Sequence, residues 1–142
     1  MDDFLIFKNF ELIRVEDETE AEKKHLESLL SEDLGEEKEI QVLKIIECYQ
    51  ACLETAAYCL SRENKEREYI DLLLYFAEVC QISVELLLIY PEVYELTRGV
   101  SLKTGKLCLQ QTEKLKKQVY SESQVIFNQL ENKCREYIEV YV

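Results

Sequence analysis

Three of the six cysteines in this sequence stand together in residues 47–61, which read ECYQACLETAAYCLS. The stretch contains no glycine or proline and therefore favours a helix. At about 100° per residue, Cys48, Cys52 and Cys59 fall on one stripe of that helix. Cys48 and Cys52 lie one turn apart, so their sulfurs can approach closely enough to share a soft metal ion. The spacing indicates thiolate chemistry within a helical fold.

The kind of thiolate chemistry follows from the geometry of a single helix. Two cysteines at positions i and i+4 have nearly parallel Cα–Cβ bonds, so a disulfide between them would be strained. Structural zinc needs four ligands that converge on a tetrahedron, usually from short knuckles. Monovalent copper prefers thiolates and accepts a small number of them. If these cysteines bind a metal, copper(I) fits them best.

A structural role for the cysteines is the competing interpretation. Free cysteine is among the most buried residue types, and it packs as a small hydrophobic side chain. Cys80, Cys108 and Cys134 each stand alone in the sequence, so a packing role is the simpler interpretation for them. Spacing by itself leaves both interpretations open.

Composition and charge restrict the class of protein. A chain of 142 residues can form one domain with a core that needs no disulfides. Only three glycines and one proline are present, which favours long helices. The formal net charge of −12 would repel a phosphate backbone, so we expect no nucleic acid as a partner. The one concentrated positive stretch, residues 114–118, suits the C-terminus of a helix.

No targeting segment is recognised, and we expect a cytoplasmic protein. The N-terminus begins with two acidic residues after Met1 and lacks a small-residue cleavage site. Residues 69–90 form the most apolar stretch, but Asp71, Glu78 and Glu85 interrupt it, so we expect no membrane association. Thiols stay reduced in the cytoplasm, which argues against structural disulfides.

Residues 1–38 are predicted to form an N-terminal extension. Residues 1–16 fit a strand or a helix equally well, whereas the apolar spacing in residues 18–34 indicates a short amphipathic helix that Gly35 would end. His25, the only histidine, has no cysteine or histidine beside it and is interpreted as a surface residue.

Residues 39–142 are predicted to form an all-α domain, an antiparallel up-down-up-down four-helix bundle. The helices are expected at residues 39–60, 64–90, 91–118 and 121–141. Asn64 and Ser121 are candidate N-caps, and Pro91 suits the first turn of the third helix. Gly99 and Gly105 each cost about 1 kcal/mol relative to alanine, so we expect a break or kink near Gly99. Short connections between helices of similar length make neighbours antiparallel.

From about Ile45 onward, the sequence resembles the cysteine-rich copper-storage family of four-helix bundles. The first helix of that family carries cysteines at relative positions 0, 4, 7 and 11, which here are Cys48, Cys52, Thr55 and Cys59. Three further segments resemble the second, third and fourth helices. They are YFAEVCQISVELL with Cys80, KLCLQQTEKL with Cys108 and NKCREYIEVY with Cys134.

The resemblance implies a copper(I)-binding bundle with thiolate ligands in its core, and the departures from the family pattern imply a reduced capacity. Four positions carry Phe76, Leu130, Tyr137 and Tyr141 where the family has cysteines. These side chains can fill a core but cannot bind copper(I). The candidate metal ligands are Cys48, Cys52, Cys59, Cys80, Cys108 and Cys134.

No enzymatic activity is predicted. Carboxylate-bridged di-iron bundles need Glu-x-x-His motifs, and the predicted bundle contains no histidine. A phosphate-binding glycine loop and a nucleophile elbow are also missing. The alternative function is a metal-free helical protein-interaction module that has lost the metal site. In either case, the helix faces could support a homo-oligomer.

Overall fold

The fold is built from four helices in the part of the chain that the structure describes. The computed structural model describes residues 35–62, 66–118 and 121–142, and those ranges contain no strand. The helices are α1 (Glu36–Leu60), α2 (Arg67–Ile89), α3 (Pro91–Lys116) and α4 (Ser121–Tyr141). The predicted all-α fold is confirmed. The predicted helix within residues 18–34 and the predicted cap at Asn64 lie outside the described residues.

The helices form an antiparallel ring in chain order. Each helix packs on the next one, and α4 returns to pack on α1. The start of α2 meets the end of α3 through the Tyr69 and Thr112 hydroxyls, which lie 2.7 Å apart. Further along the same two helices, the Ser83 and Ser101 hydroxyls are 3.1 Å apart. The order of these pairs is reversed between the two helices, so α2 and α3 are antiparallel. Ion pairs in reversed order likewise join α3 to α4 and α1 to α4, which confirms the up-down-up-down arrangement.

The start of α1 differs from the predicted domain boundary. Gly35 has a φ of 86°, a left-handed conformation that glycine adopts without a Cβ clash. The helix begins at Glu36, and the acidic side chains of its first turn interact favourably with the helix dipole. The first helix therefore begins three residues before the start predicted at residue 39.

The predicted break near Gly99 is wrong, because α3 runs without interruption from Pro91 to Lys116. A Cβ at Gly105 would lie 2.8 Å from ring carbons of Tyr137, so the missing side chain makes room for that ring. Packing of a large buried ring offsets a helix-propensity cost of about 1 kcal/mol. The lysines at 114 and 116 lie in the last turn of α3, as predicted.

Helix α2 is more apolar than the sequence analysis allowed. By length and composition alone it could cross a membrane, since an 18-residue window has a mean hydropathy of 1.9. The acidic residues in this stretch were expected to exclude a membrane span. They do not lower the mean hydropathy enough, because leucine and isoleucine are so frequent in the same stretch. Within the bundle, 39% of that window is buried, and α2 supplies core side chains that face both α1 and α3.

Candidate metal centre

Five of the six cysteines meet in the middle of the bundle. Cys48 and Cys52 come from α1, Cys80 from α2, Cys108 from α3 and Cys134 from α4, and all five are 0% exposed. Every one of them is a free thiol. We call these five residues the thiol cluster. The three cysteines that stand alone in the sequence thus join the helical pair of α1.

The thiol cluster is connected by hydrogen bonds. The Cys48 thiol has Cys134, Cys52 and Cys80 as hydrogen-bonding neighbours. Cys52 is also a hydrogen-bonding neighbour of Cys108. The Cys134 thiol donates to Cys108 Sγ at a sulfur–sulfur distance of 4.0 Å. Cys48, Cys52, Cys108 and Cys134 therefore form a closed ring, with Cys80 attached at Cys48.

The distance between the Cys134 and Cys108 sulfurs suits an ion held by two ligands better than one held by four. With metal–sulfur bonds of about 2.3 Å, as in zinc thiolates, two sulfurs 4.0 Å apart would subtend an angle of about 120° at a shared ion. Within residues 35–62, 66–118 and 121–142, no three or more histidine, cysteine or acidic side chains are arranged to hold a metal ion. Small side-chain movements would be needed to bring a third sulfur to an ion bound by two.

Two members of the thiol cluster favour the thiolate form. Hydrogen bonds from Cys134 and Cys52 lower the pKa of Cys108 to about 5, although burial opposes them. Burial also acts to raise the pKa of Cys48, but hydrogen bonds from Cys134, Cys52 and Cys80 outweigh it and hold that pKa well below the usual thiol value. Because the thiolate is the form that binds metals, Cys108 and Cys48 are the best prepared ligands.

The other three members of the thiol cluster keep their protons. Burial, together with hydrogen bonds to neighbouring thiols, raises the pKa of Cys52 and Cys80. Hydrogen bonds to Cys108 and Cys48, reinforced by burial, raise the pKa of Cys134. The thiol cluster therefore combines thiolate acceptors with thiol donors, and a metal ion would have to displace protons from the donors.

Cys59 lies apart from the thiol cluster. It is in the last turn of α1 and is 8% exposed. Burial and the negative charge of Glu66 raise the pKa of Cys59 to about 11. The predicted set of six candidate ligands is therefore divided by the structure into a group of five and a single thiol towards one end of the bundle.

Aromatic rings close the thiol cluster on both sides. On the side of Cys59, Tyr69 packs against Phe127 with 6.1 Å between ring centroids. Thr112 donates its only hydroxyl hydrogen to the carbonyl oxygen of Cys108 at 2.8 Å, so the Tyr69 hydroxyl must donate to Thr112. On the other side, the Phe76 and Tyr137 rings meet edge to face at 4.8 Å.

A comparison with protein-family models relates this chain to known proteins. The model of the copper storage protein family matches residues 35–139, more than half of the 142 residues. The chain belongs to the copper storage protein family. Neither a search of curated proteins nor a search of solved structures found a match. The resemblance is confirmed, and the family match begins ten residues earlier than the sequence analysis placed it.

Residues without sulfur occupy several core positions where the resemblance in sequence implies cysteine. They are all buried: Thr55, Phe76, Leu130, Tyr137 and Tyr141. These side chains point inward and supply packing and hydrogen bonds instead of thiolates.

Sequence reasoning missed Tyr69 and Thr112. Thr112 stands four residues after Cys108 and is therefore on the same face of α3. A hydroxyl residue on a cysteine-bearing face was a usable signal. Tyr69 could not be found in this way, because only the packing of α2 against α3 brings its hydroxyl to Thr112.

Proposed function

We propose that this chain binds copper(I) through thiolates of the thiol cluster. The observation that carries the proposal is that five buried free thiols from all four helices are neighbours of one another. Family membership supports copper as the metal. The ligand chemistry supports copper(I) in particular, because soft thiolates in an apolar core select a soft monovalent ion.

The protonation of the thiol cluster explains how copper would enter a core that excludes charge. Within the thiol cluster, an ion first meets the thiolates favoured at Cys108 and Cys48. Each further thiol that joins the ion releases a proton, so the positive charge of copper is balanced by sulfur rather than by water. A neutral or weakly charged metal–thiolate unit is easier to bury than separate charges.

We propose a low copper capacity and a cytoplasmic location. Five thiols could hold about two copper(I) ions if each ion takes two or three thiolates. The aromatic layers on both sides of the thiol cluster leave no further cysteine next to it within the described residues. A cytoplasmic location would keep the thiols reduced and able to bind.

A metal-free helical interaction module is the competing proposal. What favours it is that, in the described residues, the side chains are not arranged as three or more ligands around one point. Under that proposal, the cysteines are only core residues, which suits their burial equally well.

An anaerobic copper(I) titration against a competing chelator distinguishes the two proposals. Wild type should retain about two ions, whereas Cys48→Ser/Cys52→Ser should lose most of the bound copper because it removes two sulfurs from the ring. Cys59→Ser is the matched control, since it removes a buried thiol of α1 that lies outside the thiol cluster. Absence of copper uptake by wild type would leave the interaction module as the function. Uptake by Cys48→Ser/Cys52→Ser equal to that of wild type would place the metal elsewhere, and an equal loss in Cys59→Ser would make Cys59 part of the site.

A further inference from the structure

The two sides of the thiol cluster differ in what lies beyond the aromatic rings. Beyond Tyr69 lies Cys59, a soft ligand close to the end of the bundle. Beyond Tyr137 lie the rings of Tyr141 and Tyr94, and no cysteine of the described residues. Only one side therefore offers a sulfur outside the closed core.

The side of Tyr137 is also the more tightly packed. The Tyr137 ring lies against the backbone of Gly105, where even a Cβ would clash at 2.8 Å. Phe76 and Tyr141 hold the same ring from two further directions, each with 4.8 Å between centroids. Movement of this ring would disturb three helices, so passage on this side is blocked by close packing.

The side of Tyr69 is held by hydrogen bonds. Tyr69 lies in the first turn of α2, close to the end of α1 that carries Cys59, and its hydroxyl meets Thr112, one turn along α3 from Cys108. The hydroxyl therefore stands between the outer thiol and the thiol cluster. Its hydrogen bond to Thr112, at 2.7 Å, joins α2 to α3. This bond fixes the Tyr69 hydroxyl, while the Tyr69 ring packs on Phe127.

We propose that the Tyr69–Thr112 pair is a gate between Cys59 and the thiol cluster, and that Cys59 is the transfer ligand outside this gate. The inference rests on the proposed function, because copper(I) is the ion that Cys59 would transfer. The gate is also present in the metal-free protein. There it would control the access of small molecules to the thiol cluster from the side of Cys59.

The transfer step can be written with its protons. A copper(I) ion that reaches Cys59 forms a copper–sulfur bond and displaces the thiol proton to solvent. When the gate opens, copper forms a bond to the Cys108 thiolate, the bond to Cys59 breaks, and Cys59 takes up a proton again.

Alkylation of the metal-free reduced protein tests the gate without copper. The probe is N-ethylmaleimide at low conversion, with initial rates at each cysteine read by peptide mass spectrometry. In wild type, Cys59 should react first, Cys52 and Cys108 next, and Cys80 last. Tyr69→Phe should raise the initial rates at Cys52 and Cys108 about five- to tenfold, the factor that corresponds to one hydrogen bond.

Tyr137→Phe is the matched control for general loosening of the core. It removes a buried hydroxyl that donates to the carbonyl oxygen of Ser101 at 3.3 Å, on the opposite side of the thiol cluster. Its rates at Cys52 and Cys108 should stay within twofold of wild type. Equal acceleration by both variants, or earlier reaction of Cys80 than of Cys52, would overturn the gate.

Thr112→Val provides a second route to the same bond if Tyr69→Phe does not fold. It should accelerate the reaction at Cys52 as Tyr69→Phe does, and the double variant should be no faster than the faster single variant, because both remove one bond. Additive effects of the two substitutions would contradict the proposal.

Copper(I) transfer from a chelator completes the test. Tyr69→Phe should take up copper several-fold faster than wild type and to the same final amount, while Cys59→Ser should be slower. If wild type binds no copper but the order of alkylation holds, the proposed function fails and the gate stands. If copper binds normally but Tyr69→Phe and Tyr137→Phe behave alike, the gate is wrong and the proposed function stands.

Discussion

The chemistry of this protein depends on single thiols whose neighbours are other thiols. Cys108 receives hydrogen bonds from Cys134 and Cys52 and lies beside Thr112. Hydrogen bonds to a charged acceptor stabilise the charged form. A buried cysteine that would ordinarily keep its proton is thereby prepared as a thiolate, and this preparation does not require any histidine or lysine in the core.

We predict that reduced, metal-free protein carries a thiolate at neutral pH. The pKa of Cys108 is lowered to about 5, so its thiolate should persist at pH 7 and disappear as the pH falls through about 5. The ultraviolet absorbance of the thiolate measures this transition. Cys108→Ser should lose the transition near pH 5 and Cys59→Ser should keep it, since the pKa of Cys59 is about 11. An unchanged titration in Cys108→Ser would contradict the assignment.

The same lowered pKa links pH to stability with a definite sign. In the unfolded chain, the Cys108 thiol returns to a pKa of about 8.5. A lowered pKa in the folded state contributes stability that is complete above about pH 8.5 and is lost as the pH falls towards 5. The difference in the free energy of unfolding between wild type and Cys108→Ser should therefore shrink from pH 8 to pH 5, as urea denaturation would show.

At the scale of helices, the position of one glycine determines how closely α3 and α4 approach. Gly105 is buried against Tyr137, whereas Gly99 has nothing within 4 Å of the place where a Cβ would stand. The two glycines have the same intrinsic cost in a helix, but only Gly105 makes room for a neighbouring ring.

We predict opposite effects for alanine at these two positions. Gly105→Ala should lower the free energy of unfolding by about 1–3 kcal/mol, because the Tyr137 ring is held on other sides and cannot withdraw. Gly99→Ala is the matched control and should raise it by about 0.5–1 kcal/mol through helix propensity alone. Chemical denaturation measures both values. A stabilising Gly105→Ala would show that the ring can move aside.

At the scale of the whole molecule, the copper capacity depends on how many core positions carry sulfur. Thr55 stands at a position where the resemblance in sequence implies a cysteine. It is 1% exposed and donates to the carbonyl oxygen of Ala51 at 2.7 Å. Its place on α1 lies between Cys52 and Cys59. A thiol at this position would lie between the thiol cluster and Cys59 and would be within one turn of both Cys52 and Cys59.

We predict that Thr55→Cys increases the amount of copper(I) bound per chain, because the added sulfur and Cys59 can then share an ion with Cys52. Thr104→Cys is the control, since Thr104 makes the same kind of helical hydrogen bond, to Val100, on an outer face. The anaerobic chelator titration measures both variants. Equal gains in the two variants would indicate binding at the surface instead of extension of the core site.

Much of the fold was determined by the sequence alone. Few breakers, apolar residues at helical spacing and Pro91 predicted four helices, and the structure has them with bounds shifted by at most three residues. The Cys48–Cys52 pair was also predictable, because positions i and i+4 are neighbours in any helix. These features depend on local geometry, which the order of residues specifies directly.

Other features were decided only by the tertiary structure. The meeting of Cys80, Cys108 and Cys134 with the pair on α1, and the separation of Cys59 from them, depend on how far each helix slides along its neighbours. That register is set by packing of large rings such as Tyr137 against Gly105. The continuity of α3 has the same origin, since a tertiary contact offsets a local preference. The spacing of residues within one helix does not specify how far that helix is shifted along the axis of its neighbours. The thiol cluster depends on those shifts, because they bring cysteines of different helices together.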